Sequence, residues 1–414
     1  MGGDGDLAFY NGTGATLQLV ADVSGYYRGV LGEPAASCAG FTNSTGITDS
    51  TITLANASDI SGPVPGLYLG AQQGAEAYAA YFNSVSDICG RSLAVDALDT
   101  ESSTSGDQQA ATTACANDFA MVGSLSLFDD GGAATAAACG IPDLRARNTS
   151  ATRRDAANSF AVTYNDISSV PSAAPAFFVQ HNPVATAHAA MLWVNAAGYP
   201  AEAQSELAGW TSAGFSFKYS AGIDVNAVNY MPYVSAMITQ GVQYVQFVGP
   251  PQYGVRLAQA MKAQSFSPIL VVNSLTGDTP YASAGGSDVD GTYRIDDTTL
   301  LDAATNAELA RYETWLQVVA PGAVPSTVGL YGWSAAMLFA QQALMLGGHL
   351  TRANLISALG QVSNWTGNGL QAPEAVGAKT PSSCVAIDQL NSGTWQHASP
   401  PPYVCGSLIS TGGA

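Results

Sequence analysis

The chain has 414 residues, of which 47% are hydrophobic and only 11% charged, and its formal net charge is −18 at pH 7. That length allows two or three domains, each with a proper core. The acidity, with Lys218, Lys262 and Lys379 as the only lysines, argues against nucleic acid and anionic membrane as partners and reads as solubility in a salty or acidic exterior.

No run of about 18 apolar residues is present to span a membrane. Residues 1–30 read as two short strands about a Gly-rich turn. The single GGDGD is a turn rather than a calcium repeat. No charged n-region and apolar h-region open the chain, so its first residues read as an artificial boundary rather than a signal peptide. Residues 31–45 form a polar Pro/Ala/Ser linker.

From Gly46 the pattern alternates between strand and helix. Ile47 to Ala55 alternates apolar residues with threonines, as a strand does. Asp59-Ile-Ser-Gly-Pro-Val-Pro-Gly66 is dense in turn formers, and Leu67, Ala71, Ala75, Tyr78, Ala79 and Phe82 then follow the helical period. A strand, a Gly/Ser turn and a helix in this order point backbone N–H groups into a crevice at the sheet's C-terminal edge. Further strands are predicted over 91–98, 120–125 and 160–164, with helices over 105–118 and after Gly132. Arg145 to Thr152 reads as loop. The same grammar repeats with a helix over 171–181, strands over 187–194, 215–219, 244–248 and 268–272, and helices ending near 213, 240 and 264. This makes two βα series of similar size, each with its own sheet. Helices over about 300–319, 329–346 and 351–360 follow, the last capped by Thr351.

Six cysteines at 38, 89, 115, 139, 384 and 405 lack CxxC and clustered histidine, so no metal site is expected and disulfides are. Local pairs Cys89–Cys115 and Cys384–Cys405 leave Cys38 with Cys139, although six cysteines allow fifteen pairings. Only the even count and an oxidising compartment are firm. No apolar segment precedes Cys38, which favours a disulfide over lipid attachment.

Chemistry at a catalytic centre has little support. Ser61, Ser124 and Ser334 lie outside any G-x-S-x-G, and His181, His188, His349 and His397 are dispersed. Asp129-Asp130 reads as a turn or helix start rather than an acid/base pair. Asp288-Val-Asp290-Gly291 lacks the distal ligands of a calcium loop. Trp333, within a helical pattern, reads as core, and Tyr199 equally as lobe packing or a ligand stack.

The stretches ITLANASDISGPVPGLYLGAQQGAEAYAAYFN, FAMVGSLSL, CGIPDL, SFAVTYND, MLWVNAAGYPAEAQ and GLYGWSAAMLFAQQALMLGG, in this order, resemble the type I periplasmic binding proteins. The likeness is to the Leu/Ile/Val-binding branch that serves ABC importers, over about 46–408. The opening LAFYN…LQLVADVSGYY is similar to the end of a small β module upstream of other domains in actinobacterial surface proteins. The Cys89/Cys115 and Cys384/Cys405 pairs also look like recurrent pairs in relatives.

The resemblance implies an α/β fold of two Rossmann-like lobes joined by a three-stranded hinge and closing on a solute in the cleft. Lobe one takes 46–165 with 297–372, and lobe two takes 166–296 with 373–410. By the same analogy the first lobe contacts the ligand through Ser61, Gly62, Ser124, Leu125, Ser126 and Phe128, and through the loop Arg147–Asn148–Thr149. The second offers Asn195, Tyr199, Gln252, Tyr253, Asn273 and Ser274, with Tyr331 or Trp333 as an aromatic wall. Phe128, in a polar turn, is the aromatic most expected to be functional.

Leu127-Phe128-Asp129-Asp130 stands where amino-acid binders of the family carry a Ser/Thr-rich segment, and Asn273-Ser274 where they carry an acid for the ammonium. These departures imply an apolar or aromatic solute, or a carboxylate held by Arg147, rather than a branched-chain amino acid. The expected role is that of an extracellular, surface-associated solute-binding protein, secreted or tethered through an upstream segment. It is monomeric, needs no cofactor and delivers to a membrane permease. The rivals are a sensor ectodomain of the same fold, a surface adhesion module and a hydrolase.

Overall fold

The computed structural model describes residues 37–301 and 306–412. The β fragment expected over 1–30, and the linker as far as residue 36, lie outside these. Short runs rich in β-branched residues alternate with alanine-rich helices, and parallel pairing requires such crossovers. The first series is β1 (Thr51–Ser58), α1 (Leu69–Val85), β2 (Ser92–Asp99), α2 (Thr104–Asn117), β3 (Ala120–Val122), α3 (Ala133–Cys139), β4 (Asp143–Arg147), α4 (Ala151–Asp155) and β5 (Ser159–Thr163). Its five strands are all parallel, in the order β2-β1-β3-β4-β5.

The chain then crosses to a second lobe through β6 (Ser169–Pro171), α5 (Ala173–His181) and α6 (Pro183–Thr186). There β7 (Ala189–Val194), α7 (Tyr199–Ser212), β8 (Phe217–Ile223), α8 (Met231–Thr239), β9 (Tyr244–Val248), α9 (Pro251–Ala263), β10 (Ile269–Asn273), α10 (Thr279–Gly285) and β11 (Tyr293–Asp296) repeat the pattern. The parallel strands run β8-β7-β9-β10-β11. The chain returns to the first lobe for α11 (Ala307–Val319), α12 (Thr327–Leu346) and α13 (Arg352–Leu359). It then crosses a third time, adding β12 (Cys384–Asn391) and β13 (Thr394–His397) antiparallel to the second sheet, while β14 (Val404–Cys405) pairs with β12 and β15 (Leu408–Ser410) with β6.

Each lobe has its own core. In the first, α1 and α12 pack so closely that a Cβ on Gly74 would stand 2.0 Å from the Gly329 carbonyl oxygen, and one on Gly332 2.0 Å from that of Ala71. Trp333 is buried as expected, edge-on to Tyr78 at 5.0 Å, with its Nε1–H donating to Glu308 Oε1 at 2.9 Å. Leu127 alone packs against both cores among the residues assigned to them, on the line where the lobes meet.

Two expectations are corrected. Arg145 to Thr152 is not loop: β4 is buried throughout and α4 follows it. Alternation along β4 puts Asp143, Arg145 and Arg147 on one face. On that face Arg153 bridges Asp107 at 2.8 Å and Asp143 at 3.1 Å, while Arg145 lies 3.5 Å from Asp143 and 3.6 Å from Asp129. Charges that read as solvent-facing neutralise one another inside.

The disulfides are Cys38–Cys89, Cys115–Cys139 and Cys384–Cys405, so the pairings of Cys89 with Cys115 and of Cys38 with Cys139 do not occur. Helix α2 packs beside α3, which brings Cys115 to Cys139. Cys89, in the turn before the edge strand β2, ties down the entering segment instead, and the Arg91 guanidinium lies 4.1 Å over the Phe41 ring beside it. Among the described residues no helix is long and apolar enough to cross a membrane.

Candidate functional site

Strand order reverses between β1 and β3 in the first sheet and between β7 and β9 in the second. Open α/β sheets bind ligands outside the carboxyl ends of their strands at such reversals. Here the two sets of loops face one another. They enclose an outer pocket of about 170 Å³, walled by Pro65, Leu67, Tyr68 and Val328 from the first lobe and by Tyr199, Pro250, Gln252, Leu275 and Asp278 from the second. The Tyr68 and Tyr199 hydroxyls interact across the gap, and burial pushes both phenols above their usual range. Asp278 clasps the lobes together: its carboxylate accepts from the N–H groups of Thr327 at 2.8 Å and Val328 at 3.4 Å, at the N-terminus of α12. A carboxylate there also meets the positive end of the helix dipole.

Deeper, where the three crossovers pass, lies a cavity of about 120 Å³. The crossovers contribute Tyr164, Asn165, Asp166, Asp296, Asp297, Glu374 and Ser382, and the lobes add Arg147, Glu202, Ser205, Glu206, Asn273 and Ser274. Arg147 lies 3.7 Å from Asp297. The Tyr331 hydroxyl donates to Asp297 Oδ1 and meets Ser274 Oγ at 3.2 Å, joining the lobes again. Glu202 receives the Nδ2 groups of Asn273 at 3.0 Å and Asn165 at 3.2 Å. Burial, reinforced by Glu202, raises the Glu206 carboxyl to about 8. Burial likewise drives Glu374 well above the carboxylate range, with Asp297 adding to it.

Of the residues expected at the site, Arg147, Asn273 and Ser274 line the inner cavity, and Tyr331 reaches its edge. Tyr199 and Gln252 line the outer pocket. The others line neither. Ser61 is exposed, its N–H bonded to Asp99 Oδ1 at 3.1 Å, and Gly62 stands at φ 107 against the Glu101 carbonyl. Ser124 Oγ accepts from Ala57 N–H, Leu125 is core, and Ser126 Oγ accepts from Phe128 N–H. Phe128 sits half-buried in that turn.

Asn148 Nδ2 holds the Asn165 carbonyl, and the Thr149 N–H is held by Asp129 Oδ2 at 2.8 Å. Asp129 is thus a buried structural carboxylate. Asn195 Oδ1 accepts from Trp193 Nε1, and the Tyr253 hydroxyl donates to the Val225 carbonyl.

Sequence reasoning missed Tyr68, Glu202, Glu206, Asp278, Asp297 and Glu374. One signal was available: Glu202 and Glu206, four apart on the helix opening at Tyr199, share a face in a chain with few charges. Arg147, beside Asp297, already has an anion, so a carboxylate solute would have to compete for it.

The family model described as periplasmic binding protein matches residues 51–394. Among solved structures, the chain is similar to a fatty acid ABC transporter substrate-binding protein from Thermomonospora curvata, with 14% identity, 89% of this chain and 95% of that one covered, and a TM-score of 0.75. It is also similar to an R. palustris ABC transporter solute-binding protein in complex with benzoate, with 15% identity, 87% and 99% covered, and a TM-score of 0.72. A third is the leucine-binding protein LivK from Thermotoga maritima, with 14% identity, 87% and 99% covered, and a TM-score of 0.71. No curated protein sequence matches the chain.

Proposed function

Because the chain belongs to the periplasmic binding protein family, we propose that it catches a small organic solute between its lobes outside the cytoplasm and hands it to the permease of an ABC importer. Family and structural neighbours bind solutes without transforming them. The observation that carries the reading is the outer pocket, whose walls come from both lobes at the two facing strand-order reversals. A guest touching both walls binds the closed arrangement better than the open one, and that difference drives closure.

The lobes of this reading are 46–165 with 297–372 and 166–296 with 373–410, and the protein works as a monomer, either secreted or tethered through an upstream segment. Tyr68, Tyr199, Pro65, Pro250, Leu275 and Val328 give the outer pocket an apolar, partly aromatic wall, which favours an apolar or aromatic body for the solute. The neighbours named for fatty acid and for benzoate are consistent with that character.

A thermal-shift screen of amino acids, aromatic acids and steroid acids tests this, followed by calorimetry on Tyr199→Ala. A binder should raise the melting temperature, and the variant should bind it about tenfold more weakly, the usual worth of an aromatic contact. No binder in the screen, or a binder indifferent to both Tyr199→Ala and Tyr68→Ala, would remove the outer pocket as the solute site.

A further inference from the structure

We propose that the inner cavity is a site for a small organic cation, a primary alkylammonium group, held by Glu202, Glu206 and Glu374. The inference deepens the solute-binding reading and rests on it for the cation's delivery.

The cavity carries an imbalance of charge. Six carboxylates line the cavity: Asp166, Glu202, Glu206, Asp296, Asp297 and Glu374. Three have an arginine, since Asp166 pairs with Arg154, Asp296 with Arg294 at 2.8 Å, and Asp297 with Arg147 at 3.7 Å. The other three have no arginine within ion-pair distance and accept hydrogen bonds from neutral donors: Asn273 and Asn165 on Glu202, Gln246 Nε2 at 3.1 Å on Glu206, and the Ser382 N–H at 3.2 Å on Glu374. The Arg147 guanidinium, already beside Asp297, is the one positive charge they share. Glu374 is 2% exposed, yet its Oε1 meets no donor at all. A buried carboxylate oxygen left so is costly unless a proton or a cation reaches it.

The cavity's shape and lining choose the cation. Among the described residues no group of carboxylates is close enough to hold a metal ion. An ammonium carries three donors on one atom and so suits a cavity whose carboxylates stand on two sides of it. Glu202 and Glu206 come from one face of α7, and Glu374 from the third crossover. Val170, Pro171, Ile295 and Val385 in the same wall offer apolar surface to an alkyl stem. A cavity of about 120 Å³, set beside the roughly 150 Å³ that admits benzene, takes about five non-hydrogen atoms. An anion meets six carboxylates and an arginine already paired.

The test uses the intact chain and three probes of nearly one shape: n-butylammonium, n-butyrate and n-butanol. Butylammonium should raise the melting temperature at neutral pH, while butyrate, butanol and potassium chloride at equal ionic strength should not. Calorimetry in two buffers of different ionisation enthalpy should show protons released on binding. Glu374→Gln and Glu206→Gln should each weaken butylammonium at least tenfold, and the half-buried Glu206 keeps the test available if the Glu374 variant fails to fold.

Equal stabilisation by butyrate or potassium chloride, no response to any probe, or unchanged binding in both glutamine variants overturns the proposal. A solute found by the screen and lost in Tyr199→Ala, with butylammonium silent, removes this inference alone. Butylammonium binding in the absence of any screened solute keeps the cation site and removes the outer-pocket reading.

Discussion

Arg153 stands between two carboxylates, at 2.8 Å from Asp107 and 3.1 Å from Asp143, with all three side chains out of reach of water. Removing one partner of such a network leaves the others charged and buried, which costs about 3–5 kcal/mol. Arg153→Met should therefore lower the urea midpoint strongly without altering the residues of either pocket, and a midpoint within experimental error of the parent would show the network to be idle. The same residues explain why the site was only partly legible. Tyr199, Gln252, Asn273 and Ser274, which line one or other cavity, follow or end strands recognisable in the sequence, whereas Arg147 ends β4, which read as loop, and entered only through the resemblance. Ser124 and Ser126 follow one too, but their hydroxyls are engaged by neighbouring backbone N–H groups. Asp297 and Glu374 lie in connections with no periodicity, so nothing local marked them.

Helix α12 is the element on which the two lobes agree. Its glycines admit α1 on one side, and its N-terminus receives Asp278 from the other lobe. Asp278→Ala removes that clasp and should leave the ligand-free protein more open, seen as a larger radius of gyration in small-angle scattering; an unchanged radius would dismiss the clasp. Strand β4 teaches the reverse lesson to α12. Its sequence DLRAR has the alternation of a strand, but charges at buried positions hid it, because their partners arrive from α2, α4 and the turn after β3. The disulfides behaved likewise, since pairing depends on which helices pack side by side. Loop entropy grows with the enclosed length, so opening Cys38–Cys89, 51 residues apart, should cost about 4 kcal/mol, more than opening Cys384–Cys405, 21 apart. Peptide mapping of the unreduced protein should recover a 115–139 link, and a 89–115 link would contradict the structure.

For the whole molecule, the acidic hinge cavity predicts how stability depends on pH. The Glu206 carboxyl rises from 4.5 to about 8 on folding, and Asp296 from 3.8 to about 7, both through burial first. The folded chain then binds more protons than the unfolded one, so these two groups make stability fall as pH rises from about 4.5 to 8. Asp99 and Asp166 are shifted the other way, and their contribution is lost only at more acid pH. Melting temperatures measured across pH 5 to 8 should fall, and Glu206→Gln should flatten the slope; a rising curve would show that these carboxyls are not protonated when folded. The alternation of strands and helices, β4 and α4 excepted, and with it the two-lobed α/β class, was written in the sequence, because periodicity and turn residues act over a few positions. The presence of Glu202 and Glu206 of α7 in one cavity wall with Glu374 of the third crossover, and the facing of Tyr68 with Tyr199, was decided only by tertiary structure. Those residues are brought together by sheet order and hinge path, which join segments more than a hundred positions apart.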